Sequence, residues 1–82
     1  MAKTFRLTVA KVGENLFDGE ALSVSLPGSE GRFQVLADHE ALVSSLHAGE
    51  VRIKTAEGEE RTFDIPEGGV AEVSRNQATI IL

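Results

Sequence analysis

Residues 22–28 read LSVSLPG. Leu22, Val24 and Leu26 alternate with Ser23 and Ser25, the two-residue period of a strand that buries one face, and Pro27-Gly28 closes the run as a turn signal. The same period recurs on both sides. Phe5, Leu7 and Val9 alternate with Arg6 and Thr8. Val51, Ile53 and Thr55 alternate with Arg52 and Lys54, and after the turn AEGEE the residues Arg61, Phe63 and Ile65 alternate with Thr62 and Asp64. These two runs form a predicted hairpin in which Gly58 is free to take positive φ. GGVAEV and ATIIL, joined by SRNQ, form a second hairpin near the end of the chain. Short strands with turn signals at roughly ten-residue spacing predict an all-β sandwich or small barrel.

One segment departs from the pattern. From Asp38 to His47, DHEALVSSLH places Leu42, Val43 and Leu46 at helical spacing, with Asp38 as an N-cap and Gly49 at a C-terminal stop. Local pattern therefore predicts a short helix there, with ALVSSL as the competing strand. Gly68-Gly69 opens another strand, and paired glycines imply either positive φ or a close approach of two backbones.

Composition sets the class. The chain has 82 residues, of which 41% are hydrophobic and 26% charged, values of an ordinary globular protein small enough to bury only about 60–65% of its unfolded surface. We expect one domain over residues 1–82. Eight Lys and Arg against thirteen Asp and Glu leave a net charge of −5, and the cations are scattered singly. Nucleic acid and anionic lipid both require clustered cations, so neither is an expected direct partner. Without cysteine there is no disulfide or thiolate chemistry to consider.

Two histidines invite a catalytic or metal reading. His39-Glu40 begins like H-E-x-x-H, but Val43 occupies the second histidine's place and His47 lies too far along, leaving only Asp38, His39 and Glu40 as an unusual ligand set. Ser44, Ser45 and His47 lack a nucleophile elbow. GSEG, residues 28–31, lacks the lysine of a phosphate loop and reads as a turn with Glu30 and Arg32 exposed. No catalytic residue, metal ligand or cofactor is expected. The residues alone describe a small binding module, with a ligand- or metal-binding sandwich as the alternative.

Five segments in order carry a resemblance: LFDGE (16–20), SLPGSEG (25–31), His39 followed by ALVSSL, GEVRI (49–53) and GGVAEV (68–73). Together they make the chain similar to the N-terminal domain of the epsilon subunit of F-type ATP synthase, called delta in mitochondria. That resemblance implies a flattened β-sandwich of about ten short, mostly antiparallel strands, in which ALVSSL is a strand and not a helix. It further implies a non-catalytic central-stalk rotor subunit, without cofactor, that couples the gamma subunit to the c-ring of a proton-translocating complex. Membrane association, on the cytoplasmic face of a bacterial inner membrane or its organellar equivalent, would come only through that complex. Carried over by position, Glu30, Gly31 and Arg32 are the expected c-ring-facing tip, and Asp38, His39 and Leu42 the expected gamma-facing or rotor contact. The family often has a second acidic residue where Arg32 stands, and P-G-H-A-P-L where this chain has ADHEAL. Many members continue into a two-helix hairpin that inhibits hydrolysis and in some species binds ATP. The chain ends at Leu82, so the expectation here is a sandwich without that hairpin or its regulation.

Overall fold

A computed structural model of the protein describes residues 3–82. Eight strands form among them: β1 (Phe5–Lys11), β2 (Glu14–Gly28), β3 (Gly31–Leu36), β4 (Leu42–Leu46), β5 (Gly49–Thr55), β6 (Glu60–Ile65), β7 (Gly69–Ser74) and β8 (Gln77–Ile81). All pairings are antiparallel except β1 with β8, and no helix occurs among the described residues.

β2 organises the rest. It runs for 15 residues and takes partners along both edges: β1 then β3 on one, β5 and finally a single pairing with β4 on the other. One continuous strand thus serves both layers, so the strands number eight where the resemblance led us to expect about ten. Two register shifts bend it. Val9 faces Phe17 while Ala10 faces Asn15, which leaves Leu16 as an extra residue. Ala21 faces Thr55 while Ser23 faces Lys54, which leaves Leu22 as another. Each extra residue is a bulge that increases local twist and re-aims the side chains beyond it.

The second bulge corrects the reading of LSVSLPG. Before it the odd-numbered residues point inward, ending at Ala21; after it the even-numbered Val24 and Leu26 do. Leu22 sits at the switch and is only half-buried. Val24→Ala is therefore expected to cost about 2 kcal/mol, more than Leu22→Ala although it deletes fewer carbons. Urea denaturation of the two variants checks the order.

Around β2 the strand order β1-β8-β7-β4-β2-β5-β6 folds over on itself. Inward residues of β1, β4, β7 and β8 meet those of β2, β3, β5 and β6 in one apolar cluster that includes Phe5, Leu7, Ile80, Leu26, Ile53 and Ile65. Two sheets facing one core make a sandwich.

DHEALVSSLH is a loop followed by a strand. Leu42–Leu46 pairs antiparallel with β7, Leu42 opposite Val73 and Leu46 opposite Gly69. The i, i+4 spacing of Leu42 and Leu46 suits either structure; the waiting edge of β7, which satisfies the backbone groups, decides for a strand. Both expected hairpins form. Gly58 in the β5–β6 turn has φ +89°, and β7 and β8 are joined by two left-handed residues, Arg75 (φ +52°) and Asn76 (φ +59°), the sense of turn that matches strand twist.

Candidate functional site: the loop end of the sandwich

The β2–β3 tip and the β3–β4 link lie side by side. Gly28 pairs with Gly31 across the tip, Ser29 N–H donates to Ser45 O at 2.9 Å, and His47 N–H donates to Pro27 O at 3.0 Å. These bonds hold the tip against β4. The result is an open groove of about 370 Å³ between Glu30, Phe33, His39, Leu42 and Val43. Glu30, His39 and Leu42, predicted from separate segments, thus share one surface.

The predicted residues fall in different settings. Glu30 is exposed, and no cation stands within ion-pair distance of it among the described residues. Gly31 follows at φ +128°, a backbone that only glycine adopts without strain, so the tip depends on it. Arg32 is exposed, as expected, but its guanidinium is engaged within the chain. Its Nε donates to Ser25 Oγ at 2.9 Å and one Nη donates to Glu50 O at 2.6 Å, because the strand's alternation points it across the outer face of β2 toward β5.

Asp38 has φ +61°, a glycine-like conformation at the place where the resemblance puts glycine. Its N–H donates to Asn76 Oδ1 at 2.7 Å, and its carboxylate pairs with Lys3 Nζ at 2.8 Å. The hydrogen bond to Asp38 and then its charge raise the Lys3 pKa above 10.5. A raised ammonium pKa means that, while Asp38 is ionised, the contribution of Lys3 is fully present below pH 10.5 and is lost as pH climbs through the raised value. Since both partners are exposed, that contribution is small.

His39 is half-buried, with Nδ1 against Glu40 O at 2.8 Å, and His47 is exposed with Nδ1 against Ala48 O at 3.0 Å. Among the described residues no three His, Cys, Asp or Glu side chains are grouped to hold a metal. The arrangement offers no nucleophile held against a base. What it offers is a surface: a free carboxylate at the tip, a histidine, and apolar side chains between them.

Part of that surface was not anticipated. Val43 is 71% exposed, facing outward opposite Glu72. Val70 and Ile81, paired with each other across β7 and β8, continue the exposed apolar area. Their signal in the sequence was parity alone: once ALVSSL is a strand with Leu42 and Leu46 inward, Val43 must point out.

The family model for the ATP synthase delta/epsilon chain β-sandwich domain matches residues 4–82. The chain belongs to this family. An ATP synthase epsilon chain of Chlorobium limicola is 38% identical over 79 residues, which cover 96% of this chain and 89% of that one. For the epsilon chain of Herminiimonas arsenicoxydans the identity is also 38%, over 99% of this chain but only 58% of the relative. The chain thus spans little more than half the length of some epsilon-chain relatives and nearly all of others. In the OSCP/F1/c-ring assembly of Euglena gracilis mitochondrial ATP synthase, one chain superposes with a TM-score of 0.87 at 25% identity, covering 95% of this chain and 49% of that one. A chain of the central stalk/c-ring of Tetrahymena thermophila mitochondrial ATP synthase shares the fold, with a TM-score of 0.79 at 17% identity, over 96% and 63% of the two chains.

Proposed function

We propose that this epsilon-family sandwich is a non-catalytic rotor subunit of the F1 central stalk, which ties the gamma subunit to the c-ring so that proton-driven rotation reaches the catalytic subunits. It would stand at the cytoplasmic face of a bacterial inner membrane, or the organellar equivalent, held there by the complex. The observation that carries this reading is the single groove joining Glu30 to His39 and Leu42 in a chain of this family.

In this reading the tip, Glu30 and Gly31 with Arg32 bracing them from behind, meets polar c-ring loops. Asp38, His39 and Leu42, extended by Val43, face gamma. An unpaired carboxylate at an interface rim sets approach and register through charge, while the apolar residues supply contact area.

A chain without cysteine permits a direct test, because one introduced cysteine is then the only thiol in these 82 residues. Glu30→Cys carrying a short photo-crosslinker, assembled into the membrane complex, is expected to label the c-ring, and Leu42→Cys to label gamma. Labelling of neither partner from either position would rule out this orientation. Glu30→Lys is expected to weaken docking to the ring about three- to tenfold, as charge reversal at a rim does, without altering the melting temperature. Unchanged proton-coupled ATP synthesis at limiting subunit concentration would remove Glu30 from the interface.

A further inference from the structure

We infer that Asn76 is a positioning residue for the loop that carries His39: its side chain holds the left-handed backbone of Asp38 and so sets how the Asp38–Leu42 surface is offered to gamma. The inference rests on the rotor reading for its partner, though not for its geometry.

Three remote segments converge here. Asn76 occupies the second position of the two-residue turn between β7 and β8, with φ +59°, where glycine would serve the turn equally well. Its side chain does more than fit the turn. Oδ1 accepts from Asp38 N–H at 2.7 Å while Nδ2 donates to Thr4 O at 3.0 Å. One partner is a donor and the other a carbonyl, so both bonds form with the amide in one orientation only. Beside it, Lys3 reaches back to the Asp38 carboxylate at 2.8 Å, and the Asn76 carbonyl accepts from Arg6 N–H at 3.2 Å. The β7–β8 turn and the start of β1 together form a clamp on Asp38.

The clamp answers a local need. A residue with a side chain disfavours φ +61°, and Asp38 lies outside any strand, in the link from Leu36 to Leu42. A side-chain acceptor aimed at its N–H favours the one conformation in which that bond forms. His39 follows directly, with its Nδ1 2.8 Å from Glu40 O. Freed from the clamp, the link would sample other directions for His39, and gamma would have to reorder it on binding.

Asn76→Gly separates this role from the turn itself, because glycine takes the turn's positive φ and removes only the two side-chain bonds. Hydrogen exchange at the Asp38 amide is expected to quicken about tenfold, the effect of losing one such bond, while the Val73 and Ile80 amides keep their protection. Affinity for purified gamma is expected to fall about three- to tenfold with the melting temperature nearly unchanged, a split that a purely structural residue would not produce. Unchanged exchange at Asp38 would overturn the clamp. Faster exchange with unchanged gamma affinity would overturn its positioning role. Failure of the unsubstituted chain to bind gamma would overturn the rotor reading and the gamma half of this inference, with the exchange result still judging the clamp.

Discussion

Gly68→Ala is expected to lower stability by roughly 2–5 kcal/mol, combining a left-handed backbone that alanine resists with overpacking that cannot relax. Gly68 has φ +73°, and a Cβ there would lie 2.2 Å from the carbonyl oxygen of Leu46. The obstruction is backbone, so no side chain can swing aside. At Gly69 a Cβ would lie 2.3 Å from Ile81 O, and the tandem pair therefore lets β7 begin between β4 and β8. An 82-residue domain has only about 4–12 kcal/mol in total, so a fall in melting temperature of about 8 °C at the least, and up to about 40 °C, follows. Gly58→Ala is the control: φ is +89° there but nothing lies within 4 Å of the added carbon, and the cost is expected to be about 1 kcal/mol. Equal thermal shifts for the two variants would contradict the packing assigned to the start of β7. Displacement of Leu46 would also move β4, which begins at Leu42, so if the proposed contact with gamma holds, the Gly68 variant is expected to lose it as well.

Phe5→Ala is expected to cost about 3–5 kcal/mol. Phe5 is 1% exposed in the apolar cluster and sits opposite Ala21 at the point where β1 meets β2. The neighbouring small side chain cannot fill the space, so a cavity remains at the joint of the two layers. Val12→Ala makes the comparison clear. Val12 is equally apolar but 99% exposed at the β1–β2 turn, and its truncation should leave the urea midpoint within error of the parent. A large effect at Val12 and a small one at Phe5 would mean that the assignment of inner and outer residues on β1 is wrong.

These contrasts show which features can be read along the chain. The β5–β6 and β7–β8 hairpins were legible because their turn residues sit between the strands they join, and glycine or asparagine carries the turn's conformational requirement locally. The tip at Glu30 was legible for the same reason, bracketed by Gly28 and Gly31. DHEALVSSLH was not, since its spacing suits a helix as well as a strand and the partner that decides lies on β7. Leu22 misled because a bulge is a mismatch between two strands, invisible in either one alone. The position of Arg32 beside the tip is legible, but its bonds to Ser25 and Glu50 are not, since they depend on which strand lies beside β2. The contact of Asn76 with Asp38 joins residues 38 positions apart, and no local pattern announces it. Family resemblance recovered the strand at ALVSSL but not these contacts, which depend on the residues particular to this chain.

The most direct test is a mixture of the purified chain with its gamma subunit at micromolar concentration, followed through gel filtration. A rotor subunit that buries a specific interface of roughly 1,200–2,000 Å² is expected to elute with gamma as one stoichiometric complex. Separate elution of the two, each folded and at its own volume, would contradict the central claim.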